Sequence, residues 1–242
     1  MRKACLKILL VCFSIAFSLV LVELLLSVFL PQDLSSSWRV QNEKGLLVNK
    51  SSGTARHQFK DRVIHYNFSE PHLRGNAPEG SIKVLVLGDS FTFGWLLNDT
   101  DTYVSILQSR LDEKFGRGVF SLLNAAAGGW GTADYVAFVE DAGEEIAPDI
   151  ILVFLNVYDI GRALVSPLWE FSDGKLTRLI VPRNQLKVFL NRFPFYNFLI
   201  THSHLVQLVR IRVALAREYL PTFDPKSARQ TRKHIHQSGL PD

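Results

Sequence analysis

Ile82-Lys83-Val84-Leu85-Val86-Leu87-Gly88-Asp89-Ser90 decides the fold. A short β-branched apolar run closed by glycine suits a strand buried on both faces, as in a parallel sheet. Ser90 then stands just past the C-terminal end of that strand, the edge at which open α/β sheets bind ligands. A serine there exposes its hydroxyl while its backbone N–H points to the same spot. Acyl transfer needs both, a nucleophile and a donor for the oxyanion it creates. Taken alone, Gly-Asp-Ser is also a common strand-to-helix turn, chosen for its conformation.

The flanking sequence repeats the alternation. Val104, Leu107, Leu111 and Phe115 have helical spacing behind Asp99-Thr100-Asp101, which reads as a helix cap. Val119–Leu123 reads as a second strand, and Thr132 as the cap of a helix reaching Ile146. Pro148 stops that helix, and Ile150–Leu155 is a third strand made almost wholly of Ile, Leu, Val and Phe. Strand, helix, strand, helix, strand at this spacing predicts a parallel sheet with right-handed crossovers. Further on, Ser172-Asp173-Gly174 between Trp169–Phe171 and Leu176–Ile180 predicts a hairpin. Leu186–Arg217 reads as two helical segments broken near Pro194 and Thr201–Ser203.

The N-terminus has a different chemistry. Arg2, Lys3 and Lys7 precede an apolar run from Ile8 to Leu30, 23 residues closed by Pro31. As a helix it measures about 34 Å, enough for the ~30 Å hydrocarbon core of a bilayer. No A-x-A site follows, so residues 1–31 are expected to be an uncleaved signal-anchor with the basic end in the cytoplasm and the remainder exported to the periplasmic side. Val11 is too bulky for Cys12 to be a lipoprotein cysteine. Glu23 sits awkwardly inside the apolar run and has to be protonated, reach the interface or pair with an envelope protein partner. Cys5 and Cys12 both belong to the anchor region, so the exported part has neither a disulfide nor a cysteine metal site.

Residues 32–80 are polar and read as an irregular stalk and lead-in loop, 81–220 as the main domain and 221–242 as a basic tail. Lys+Arg 27 against Asp+Glu 23 leaves a net charge of +4 over 242 residues, too mild to suggest a nucleic-acid partner. The basic residues between Arg183 and Lys233 read as a solvated face, or else as a contact with anionic headgroups. No cofactor is expected. Gly128-Gly129-x-Gly131 lacks the spacing of a phosphate loop, and His234-x-His236 lacks carboxylates around it for a metal.

Gly88-Asp89-Ser90-Phe91-Thr92-Phe93-Gly94 resembles the nucleophile block of the SGNH (GDSL) esterases and acyltransferases. Asn124-Ala125-Ala126-Ala127-Gly128-Gly129-Trp130-Gly131-Thr132 is similar to that family's second block, whose oxyanion glycine falls on Gly129. Asn156-Val157-Tyr158-Asp159 stands in the place of the third block. The resemblance covers roughly residues 80–215 and implies a three-layer α/β/α domain with a flavodoxin-like parallel sheet. It implies Ser90 as nucleophile, Ser90 and Gly129 as oxyanion donors, and Asp89, Asn124 and Asp159 in support. The family's third-block asparagine aligns with Tyr158, so either Tyr158 or Asn156 has to supply the remaining donor.

The family's Asp-x-x-His is missing, since none of the seven histidines has an aspartate three residues before it. The chain thus looks like the N-terminal part of a longer family member. The implied activity is hydrolysis of lipid or saccharide carboxylic esters, crippled by the missing base. The alternatives are an O-acyltransferase for envelope polysaccharide and a non-catalytic binding subunit. Trp130, next to Gly129, is a candidate for the pocket wall.

Overall fold

The computed structural model describes residues 2–35, 37–59, 61–182, 189–190 and 193–219. The chain divides into two units, one made of residues 1–32 and 204–242 and the other of residues 33–203.

In the first unit, helix α1 (Arg2–Phe29) contains a 24-residue stretch, Leu6–Phe29, long and apolar enough to cross a membrane. Most of its described side chains are exposed, the pattern expected of an apolar helix that faces lipid. The Glu23 carboxylate accepts from the backbone N–H groups of His204 at 2.5 Å and Leu205 at 3.1 Å. These are the first residues of the last described helix, His204–Tyr219. Their N–H groups have no partner within their own helix, and the positive end of its dipole favours a carboxylate. Glu23 is therefore engaged inside this chain, where the sequence reading left a choice that included another protein. Gln32 N–H adds a bond to His204 Nδ1 at 2.9 Å.

The second unit is mixed α/β. Five strands come first: β1 (Arg39–Gln41), β2 (Leu47–Asn49), β3 (Gly53–Phe59), β4 (Arg62–Ser69) and β5 (Leu73–Arg74). This corrects the expectation of irregular backbone before residue 80. The period-2 signal was present but sparse: Ile64, Tyr66 and Phe68 alternate inward on β4, opposite Ala55 and His57 on β3. Polar residues on the outer face diluted it.

Next come β6 (Ile82–Gly88), α2 (Ser90–Phe93), α3 (Tyr103–Phe115), β7 (Phe120–Asn124), α4 (Thr132–Ile146), β8 (Ile150–Phe154) and α5 (Val157–Leu164). Strands β7, β6 and β8 form a parallel sheet in that order, as the alternation predicted. Val84 and Val86 face one side and pack with Leu122 and Val104 of α3. Leu85 and Leu87 face the other and pack with Phe138, Ala142 and Ile146 of α4. β6 is thus buried on both faces and central, which is why it reads as an unbroken apolar run.

The hairpin is present as β9 (Trp169–Ser172) and β10 (Lys175–Arg178), with Asp173 and Gly174 at φ of 52° and 74°. Its turn needs two left-handed residues, and Asp-Gly supplies them. Helices α6 (Pro194–His202) and α7 (His204–Tyr219) break at Ser203, while 183–188 and the tail from 220 lie outside the described residues. One sequence-level detail shifts. Thr102, not the Asp99–Asp101 turn, caps α3, its side chain accepting from Ser105 N–H.

Candidate active site

Ser90 is the first residue of α2, directly after β6. Asp89 is buried and caps α2 by accepting from Phe91 N–H at 2.9 Å. Gly88 is required by close approach, since a Cβ there would collide with the Thr92 side chain. Thr92 is fixed in turn by Tyr103, whose hydroxyl donates to Thr92 Oγ1 at 2.8 Å, and burial pushes the Tyr103 ionisation up. From below, Phe93 packs into a cluster with Tyr66, Phe68 and Ala126. Tyr66 Oη accepts from Leu96 N–H at 3.1 Å, just past α2. The early strands thus brace the serine turn.

The second block meets that turn. Ala125 and Ala127 N–H groups continue the strand pairing onto the carbonyls of Val86 and Gly88. A Cβ on Gly128 would lie 3.9 Å from Ser90 Cβ, so the Gly128-Gly129 loop passes beside the serine. Gly129 has φ +80°, a left-handed conformation that glycine adopts freely and other residues resist. Asn124 is buried and holds the loop, donating to the Thr92 carbonyl and accepting from Ala126 N–H, each at 3.1 Å.

Trp130 is 1 % exposed and donates through Nε1 to the Leu47 carbonyl at 2.6 Å. It is a core residue, which corrects its reading as pocket wall. Its bulk and indole N–H are better satisfied in the interior.

Asp159 is wholly buried, and its Oδ2 accepts from Tyr135 Oη and Asn156 N–H, both at 2.7 Å. Burial, then this hydrogen bond and charge, push the Tyr135 phenol far above its ordinary ionisation. Arg162, one turn along α5, reaches Asp159 Oδ1 at 3.0 Å, Asp89 Oδ2 at 3.2 Å and the Trp130 carbonyl at 3.0 Å through the same Nη1. One guanidinium nitrogen therefore ties together the segments after β6, β7 and β8. Sequence reasoning missed Arg162, whose only local signal was its i+3 spacing from Asp159.

Between the candidate third donors, Asn156 is partly buried at the start of α5. Its Oδ1 accepts from Tyr158 N–H at 3.1 Å, which leaves Nδ2 available to donate. The Tyr158 side chain is 69 % exposed.

A comparison with family models, curated proteins and solved structures finds no match.

Among the described residues no hydrogen bond engages Ser90 Oγ. None of the described histidines is hydrogen-bonded to it. His57 Nδ1 pairs with Tyr66 Oη at 2.7 Å, and that oxygen also accepts from Leu96 N–H. His72 donates to the Asn49 carbonyl at 2.7 Å, and His202 lies against Phe198 in α6. His65 points outward from β4, and His204 belongs to the other unit. His234 and His236 fall outside the described residues.

Cavities of about 440 and 200 Å³ open elsewhere, the first at Gly80, Lys83 and Ser121, the second at Asn42, His72 and Asp141. Neither is lined by Ser90 or Gly129.

Proposed function

We propose that this chain is a membrane-anchored ester hydrolase of the SGNH type, with Ser90 as its nucleophile. The observation that carries the reading is the meeting of the Ser90 turn with the Gly128-Gly129 loop at the C-terminal edge of a parallel sheet. On this reading the second unit belongs to a three-layer, flavodoxin-like α/β/α domain. Helix α1 anchors it with Arg2, Lys3 and Lys7 in the cytoplasm and Ser90 on the periplasmic side.

In the reaction, Ser90 Oγ bonds to the ester carbonyl carbon while the carbonyl electron pair moves onto oxygen. The N–H groups of Ser90 and Gly129, with Asn156 Nδ2, hold that oxyanion. Collapse expels the alkoxide, which takes up the proton released by Ser90, and water then cleaves the acyl-serine. No described histidine is hydrogen-bonded to Ser90, so the hydroxyl stays at its ordinary reactivity and attack is slow. Oxyanion donors and binding alone are worth about 10³–10⁴-fold over the uncatalysed reaction in triad-deficient serine enzymes.

The substrate class this reading implies is a carboxylic ester of a lipid or of an acylated saccharide. The test is turnover of p-nitrophenyl acetate by the detergent-solubilised chain. A slow rate above that of buffer, removed by Ser90→Ala, supports the reading. Equal rates for the two proteins refute it.

A further inference from the structure

Arg39 has no counterpart in the chemistry described so far, yet the fold delivers it to the same place. It begins β1 and pairs in register with Asn49 of β2. Asn49 Nδ2 donates to the Ala126 carbonyl at 3.0 Å, and Leu47 accepts from Trp130, so β2 is pinned to the loop carrying Gly129. The Arg39 guanidinium thereby lies over that glycine. A Cβ on Gly129 would stand 3.7 Å from Arg39 Nη2 and 3.8 Å from Nη1.

A guanidinium presents N–H donors in a planar fork, and a buried one normally spends them on carboxylates or carbonyls. Arg39 spends none. No hydrogen bond or ion pair among the described residues engages its guanidinium, and its Nε is buried without a partner. Asp134 is the nearby counter-charge, but its Oδ2 accepts from Gly131 N–H at 2.9 Å in capping α4. Burial lowers the Arg39 ionisation and Asp134 partly restores it, while the charge itself stays. A desolvated cation with unused donors, beside an exposed glycine and next to a serine turn, is arranged for an anion that is not part of this chain.

We propose that Arg39 is the anion clamp of the Ser90–Gly129 site and that Nη1 and Nη2 grip a carboxylate carried by the ester substrate. This rests on the ester-hydrolase reading of Ser90. Bidentate geometry matches the flat carboxylate, and the neighbouring Asp134 charge leaves room for one negative charge and repels a doubly charged phosphate monoester. The carboxylate has two chemical sources, a uronate on the saccharide or the free end of a dicarboxylic acyl group.

Calorimetric titration of the full chain in detergent separates these. The probes are trigalacturonate with its neutral methyl-esterified form, and monomethyl succinate with dimethyl succinate. The acid of one pair is expected to bind at least tenfold tighter than its neutral partner, and that pair identifies the source. Arg39→Gln should erase the preference, Arg39→Lys should reduce it at least threefold because the fork is lost, and Ser90→Ala should leave it intact. Equal affinity within both pairs, including no binding by any probe, overturns the proposal without recourse to a variant. So does a preference that survives unchanged in Arg39→Lys. Fluorophosphonate addition at Ser90, a probe without a carboxylate, is read separately. If Ser90 is labelled and the preference is absent, the Arg39 assignment alone falls. If Ser90 is not labelled, the ester-hydrolase reading falls with it.

Discussion

Arg162 Nη1 lies 3.2 Å from Asp89 Oδ2, across 73 residues of sequence. Asp89 is 3 % exposed at its side chain and caps the helix that begins with Ser90, so this contact fixes the serine turn from outside. The same nitrogen serves Asp159, which is 0 % exposed, and this leaves two interior carboxylates dependent on one half-open arginine.

Arg162→Ala should therefore destabilise the second unit by about 2–3 kcal/mol. That lies below the 3–5 typical of a fully buried pair because solvent reaches Arg162. Chemical denaturation followed by tryptophan fluorescence measures it. A change under about 0.5 kcal/mol, the size of an ordinary surface substitution, contradicts the assigned role.

How much of this was legible in the sequence follows from where the partners lie. The apolar runs at Val84–Leu87 and Ile150–Phe154 announce parallel strands because both faces of such strands are expected to be covered. Ser90 and Gly129 are legible because the chain bends at strand ends through glycines. Arg162 and Arg39 are not, since a cation discloses its role only through carboxylates and loops distant in sequence. Asp89 and Asp159 look like local caps until one guanidinium is found between them. Strand β8 gives a different lesson. Its sequence reads as fully buried, yet Val153 is 47 % exposed, and β8 pairs only with β6 among the described strands.

Acid should weaken the second unit through His57. Burial lowers its ionisation below the ordinary histidine value, so the unfolded chain takes up the proton first as pH falls. The unfolded state then binds more protons, and stability drops as pH moves below about 6.5, the ordinary histidine value. The expected result is a lower melting midpoint at pH 5.5 than at pH 7.5. His57→Gln should show a smaller drop, and an equal drop in both proteins removes His57 as the cause.

Glu23 ties α1 to α7 in the first unit. Glu23→Ala leaves the His204 and Leu205 N–H groups without their carboxylate, and a hydrogen bond to a charged group is worth about 1.5–3 kcal/mol. Hydrogen exchange in detergent micelles should show these two amides exchanging at least tenfold faster. Glu23→Gln, which keeps one acceptor oxygen, should fall between. Unchanged exchange in Glu23→Ala would mean that the contact contributes nothing.

The most direct test of the central claim is prolonged exposure of the detergent-solubilised chain to a fluorophosphonate, followed by mapping of the modified peptide. Ser90 should carry the adduct, slowly but ahead of every other serine, because its N–H and that of Gly129 stabilise the anionic phosphonyl oxygen. Gly129→Ala, strained at φ +80°, should suppress the adduct at Ser90 while leaving background labelling elsewhere untouched. Ser90 left unmodified, or modified no faster than exposed serines, would contradict the account.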